Sequence, residues 1–124
     1  MHNMLLIIAG IIGASVAVIH GVLMQKLMIN PLLNSSYGQE MKVQIRKLLP
    51  ILLHFSTLFW FIGGASLIMA PFVFDQTARL VVSITVGGFY TFGALGNFWG
   101  TRGRHPGWVL LAVSVVLILC SHYL

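Results

Sequence analysis

Four apolar stretches separated by short polar connections take up most of this chain, over roughly 4–24, 49–70, 78–98 and 107–123. At 1.5 Å rise per residue, a helix over each would be about 25 to 33 Å long, matching a hydrocarbon core roughly 30 Å thick. In lipid a backbone amide has no water to bond, so a crossing segment must satisfy its own polar groups as a helix. The pattern therefore predicts an all-α membrane protein, a single domain over residues 1–124 folded as a bundle of four transmembrane helices. Composition agrees: 58% of the 124 residues are hydrophobic, 7% are charged and the mean hydropathy is +0.96. Such a chain has too little polar surface to cover a water-soluble core. Ser15-Val16-Ala17 loosely resembles a cleavage site, but no basic segment precedes the first stretch, which is read as a span and not as a signal peptide.

The formal charge of +5 raises the question of nucleic acid, which the distribution of the charge answers in the negative. Lys26, Lys42, Arg46 and Lys47 lie between the first two stretches, and Arg102 and Arg104 between the last two. Arg79 alone falls near the connection around Pro71 to Thr77. By the positive-inside rule the two basic connections are cytoplasmic and both termini extracytoplasmic, in a bacterial inner membrane whose lipids are the main partners. Trp99 and Trp108 flank the second basic connection, where amphipathic rings anchor spans. Ser36 and Gln39 stand at capping-box spacing and predict a helix restart. A basic amphipathic helix is expected over 39–48, with Met41, Ile45 and Leu48 opposite Lys42 and Arg46. Pro50 is expected to kink or restart the second span, Pro71 to close it and Pro106 to open the fourth as its first helical residue.

Small residues recur every four positions as Gly13, Ala17 and Gly21, and again as Gly96 and Gly100, with Gly87, Gly88 and Gly93 preceding the second pair. Such stripes let helix backbones approach closely in lipid, either within the bundle or at the face of a homodimer or a partner membrane protein.

Ionisable side chains inside apolar spans are costly and usually face a bundle interior or a polar cavity. His20 and His54 sit near the cytoplasmic ends of their spans, each roughly 6 to 8 Å inside. Asn97, in line with Gly93 and Tyr90, reaches the same depth, so His20, His54 and Asn97 are expected to cluster, with Gln25, Arg102, Arg104 and His105 above them. Two histidines on neighbouring helices could ligate a haem iron or another metal, or bond a quinone carbonyl. Equally, each could bond a hydroxyl, an amide or the other ring and staple two helices. His2 and His122 belong to the opposite end, and His105, as a loop residue, is expected not to join the pair.

Glu40 and Asp75 are the only acids and neither falls within a span, which disfavours proton-coupled export of the kind the small multidrug exporters perform through a first-span glutamate. No phosphate loop, nucleophile elbow or carboxylate pair offers a start to hydrolase or kinase chemistry. Cys120 has no partner for a disulfide or a metal site.

The run Ile19-His20-Gly21-Val22-Leu23-Met24-Gln25-Lys26-Leu27, followed by Asn30-Pro31-Leu32, resembles a pattern in small uncharacterised four-span bacterial integral membrane proteins. His54 early in span two, and Arg102-Gly103-Arg104-His105 before a tryptophan-bearing last span, extend the resemblance over most of the chain. Where such relatives carry glycine and glutamate after Val-Leu, this chain has Met24 and Gln25, which removes an acid from beside His20. The resemblance implies an architecture and no activity. The leading expectation is a non-enzymatic structural or accessory component. A haem- or quinone-binding redox protein using His20 and His54 comes second, and a small transporter or channel third.

Overall fold

The computed structural model describes residues 2–123. Helices account for nearly all of them, and no strand occurs among the described residues. Helix α1 (His2–Met24) passes into a π-helical segment, Gln25–Ile29, and on into α2 (Asn30–Asn34). Ser35 separates α2 from α3 (Ser36–Glu40), and α4 (Val43–Val73), α5 (Gln76–Thr101) and α6 (Gly107–Tyr123) follow. Three continuous helical stretches, His2–Asn34, Val43–Val73 and Gln76–Thr101, are long and apolar enough to cross a membrane, and Gly107–Tyr123 is a shorter apolar helix.

Several local expectations are corrected. Residues 25–34 are helical and not loop, because the chain widens into a π turn in which the Asn30 amide donates to the Gln25 carbonyl. Pro31 follows at once; it has no amide to donate, and the widened turn eases its ring past the preceding carbonyls. The cap of the next helix is Ser35, one residue earlier than expected: its hydroxyl accepts from the Gly38 amide at 3.2 Å and donates to the Leu32 carbonyl at 2.6 Å. Gly38 tolerates no side chain, since a Cβ there would collide with the Leu32 carbonyl oxygen. The expected amphipathic helix over 39–48 is broken, because Met41 and Lys42 are extended and α4 begins afresh at Val43. Pro50 and Pro71 both lie inside α4, which ends two residues past Pro71. Pro106 directly precedes α6, its carbonyl accepting from the Val109 amide at 3.1 Å.

The long helices close a ring: α1 packs on α4 and α6, and α5 packs on α6 and α4. Small residues set how close they come. A Cβ on Gly10 would lie 2.5 Å from the Gly64 carbonyl oxygen, and one on Gly64 would lie 2.6 Å from the Gly10 carbonyl oxygen, so α1 and α4 touch backbone to backbone. Tyr90 reaches across the bundle from α5, lays its ring over Gly13 and donates its hydroxyl to the Trp60 carbonyl at 3.1 Å. Leu6, Ala9, Ala17, Leu67, Val86, Leu111 and Ile118 complete the core. Large apolar side chains point outward, Phe92 at 80% and Trp99 at 86% exposure among them. A small-residue interior under a bulky apolar exterior suits a protein solvated by lipid tails, where packing and not water expulsion brings helices together.

Candidate functional site

The two basic connections meet at one end of the ring, and beneath them lies the polar group of side chains. On the α1–α4 side, His54 Nε2 stands 2.8 Å from Gln25 Oε1, and Gln25 Nε2 donates to Asn30 Oδ1 at 2.7 Å. Since Gln25 Oε1 can only accept, Nε2 of His54 carries the proton. This chain of bonds ties α4 to the π segment. The helices approach closely here, a Cβ on Gly21 falling 2.8 Å from Thr57 Cγ2.

His20 is placed differently. Its ring lies against Trp60, centroids 4.7 Å apart and planes tilted by 49°. It makes no hydrogen bond among the described residues, and none joins it to His54. Beside it are two adjoining cavities of about 200 and 210 Å³ that share His20, Leu23, Asn97 and His105 in their walls. Trp60 lines the first, and Thr101 the second.

His105 thus joins His20, contrary to the expectation that a loop position would keep it apart. The turn after α5 explains how. Arg102 (φ 52°) and Gly103 (φ 73°) are both left-handed, and Gly103 donates to the Phe98 carbonyl at 2.8 Å, which folds the chain sharply back over the helix end. Trp108 Nε1 donates to the Gly103 carbonyl at 3.2 Å, and its ring meets Phe98 edge-on at 5.1 Å. The His105 amide donates to Thr101 Oγ1 at 3.4 Å, while His105 Nδ1 accepts from the Gly107 amide at 3.1 Å. That bond fixes the tautomer and leaves Nε2–H free to donate.

Asn97 lines both cavities but spends its amide nitrogen on its own helix, donating to the Gly93 carbonyl at 3.1 Å. Tyr90 lines neither, being buried between Gly13 and the Trp60 carbonyl. It touches the group only through Trp60. Of the small residues singled out from spacing, Gly13, Ala17 and Gly21 are buried at helix contacts, whereas Gly96 and Gly100 have nothing within 4 Å of a would-be Cβ.

Haem does not fit this arrangement. His54 Nε2 is bonded to Gln25 and the His20 ring is covered by Trp60. No three His, Cys, Asp or Glu side chains among the described residues come together as a metal site. What remains is room for one small ring, with the unbonded nitrogens of His20 and the Nε2–H of His105 at its edge.

Trp60 is the member that reading the sequence missed, and His105, expected above the cluster but apart from the pair, lines the same cavities as His20. Trp60 lies six residues beyond His54 on α4, off the histidine's face by spacing, and His105 depends on a turn whose handedness only Gly103 hints at. No protein-family model, curated protein or solved structure matches the chain.

Proposed function

We propose that this chain is a four-span protein of a bacterial inner membrane, both termini extracytoplasmic, acting as a non-enzymatic accessory component through association with a second copy of itself along α5. Six of the seven basic residues stand at one end of the ring, which supports the orientation by the positive-inside rule. Helix α6, at 17 residues, is about 25 Å long and serves as the fourth span with Trp108 and Tyr123 near its ends and a modest local thinning of the bilayer. The resemblance to small four-span bacterial membrane proteins supports the same count. A non-enzymatic role is supported by the acids: Asp75 caps α5, accepting from the Ala78 amide at 2.7 Å, and Glu40 ends α3, and neither lines the cavities beside His20.

The observation that carries the association is the outer face of α5. Gly96 and Gly100 are exposed with open space over them, between Phe92, Leu95 and Trp99, each at least 64% exposed. A Gly-xxx-Gly groove is self-complementary, because two such helices crossing at the glycines supply both halves of the contact. The test is energy transfer between donor- and acceptor-labelled copies in liposomes. Transfer should fall on dilution with lipid, and Gly96→Ile with Gly100→Ile should weaken association roughly tenfold. Wild-type protein that stays monomeric at every protein-to-lipid ratio overturns the reading.

The free nitrogens of His20 in the cavity favour a second reading, in which the headgroup of a quinone-class ligand enters beside Trp60 with a carbonyl accepting from His105 Nε2–H. Quenching of tryptophan fluorescence by a short-chain benzoquinone should saturate, lose its saturable part in Trp60→Phe and weaken roughly tenfold in His20→Ala. Quenching that rises linearly and equally in all three proteins sinks this reading.

A further inference from the structure

At the end of the ring opposite the basic connections, Arg79 occupies a setting unlike that of any other cation in the chain. It stands in the first turn of α5 and is largely covered, its Nε fully buried without a hydrogen-bond partner among the described residues. Nη1 donates to Asn3 Oδ1 at 3.0 Å and Nη2 to the Phe74 carbonyl at 3.3 Å. Both acceptors are neutral. A guanidinium offers five N–H donors, so three are unused among the described residues. No carboxylate pairs with it among the described residues; Asp75, the nearest acid in sequence, turns its side chain to the Ala78 amide.

Arg79 forms part of the wall of a cavity of about 410 Å³, together with His2, Asn3, Gln76, Ser121 and His122. It is larger than either cavity beside His20 and more polar in its walls. His2 is held there, its Nδ1–H donating to the Ser121 carbonyl at 3.2 Å. Every ionisable side chain in the wall is basic, and Asn3 and Gln76 add amide N–H donors. The amino end of α5 adds no net positive charge, since the Asp75 carboxylate caps it, so the cavity's positive charge rests on Arg79 and the histidines. Among the described residues the partners of this partly desolvated cation are neutral and supply no counter-charge, and burial raises the cost of that deficit.

We propose that this cavity binds an oxyanion of the phosphate class, held by Arg79 with help from His2, His122, Asn3 and Gln76. A guanidinium presents paired donors that match two oxygens of a phosphate, as an ammonium cannot. The chemistry is shared by a phospholipid headgroup and free inorganic phosphate. The place at the end of α5, where a span meets the headgroup layer, makes either one reachable. The site is independent of the histidine cavities and of the outer face of α5.

The test uses full-length protein purified in a maltoside detergent without phosphate. Native mass spectrometry reads retention of added phosphatidylglycerol against a phosphate-free galactosyl diacylglycerol, and ³¹P line broadening reads binding of inorganic phosphate. Wild-type protein should retain the phospholipid over the galactolipid, or broaden the phosphate signal, the first outcome assigning a lipid headgroup and the second a free anion. Arg79→Gln should weaken the binding roughly 10- to 100-fold, the equivalent of one charge-assisted pair. Asn3→Asp guards against a folding artefact. It puts a carboxylate where Asn3 Oδ1 already touches the guanidinium, so it should keep the helix content and melting temperature while losing the ligand. Equal retention of both lipids with no phosphate broadening overturns the proposal, and so does binding that survives in Asn3→Asp.

Discussion

Where α1 crosses α4, the glycines are pressed until backbone meets backbone, with Gly10 against Gly64 and Gly21 against Thr57. On the outer face of α5, a Cβ on Gly88, Gly96 or Gly100 would meet nothing within 4 Å. Gly13, Ala17 and Gly21 share the four-residue spacing of Gly96 and Gly100, yet the first run closes the monomer and the second is left open to lipid. Spacing sets which residues share a helix face, and the neighbouring helices decide what that face meets. The open glycines are on the one helix that also presents Phe92 and Trp99 outward. Glycine in a helix interior is destabilising by roughly 0.5–1 kcal/mol relative to alanine, so an uncovered pair forgoes stability that alanines would supply without yielding any contact inside the monomer.

The largest expected effect tests the closed half of this comparison. In Gly64→Val the new Cβ would lie 2.6 Å from the Gly10 carbonyl oxygen and 2.7 Å from the Ala14 amide nitrogen. Both are backbone atoms, so no rotamer change relieves the clash and the two helices must part. Tyr90 and Trp60 are next to the same crossing, and the hydroxyl bond between them should strain with it. Unfolding in mixed micelles should report a loss of about 3 kcal/mol, the upper end of ordinary overpacking. Gly10→Val should cost about the same, and the double variant much less than the sum, because either change alone already opens the same crossing. A Gly64→Val protein within about 0.5 kcal/mol of wild type would dissolve the distinction between the two glycine sets.

How much of this was legible beforehand differs by residue and for physical reasons. The helical character follows from hydropathy, since apolar runs long enough to cross a membrane have no other way to satisfy their backbones there. Gly13, Ala17 and Gly21 stood out because a short periodicity along one helix is visible in a single sequence. Gly10 and Gly64 did not, because their partnership is a meeting of two helices 54 residues apart in the chain. The π segment was read as loop, since Gln25, Lys26 and Asn30 look like connection residues until Gln25 is seen bonding both Asn30 and His54. His20 and His54 could be placed at one depth by counting residues. Which ring turns to Trp60 and which to Gln25 is settled by rotation of the helices about their axes, which counting does not give. His105 escaped because its place rests on two successive left-handed residues, and only one of them is a glycine.

The smallest expected effect tests the open half, and it separates folding from association. In Gly96→Ala and Gly100→Ala the added methyl meets nothing within 4 Å, so the monomer should lose no contact and gain helix propensity. The expected change in unfolding free energy is a stabilisation of at most about 1 kcal/mol for each, read in micelles dilute enough to keep the protein monomeric. Alanine also preserves a small-xxx-small groove, so these variants should still associate in liposomes at lipid dilutions where Gly96→Ile with Gly100→Ile is already weakened. Should the alanine variants destabilise the monomer instead, the outer face of α5 at Gly96 and Gly100 is packed inside the bundle after all. Should they abolish energy transfer while leaving the monomer intact, the two copies approach as closely at Gly96 and Gly100 as α1 and α4 do at Gly10 and Gly64.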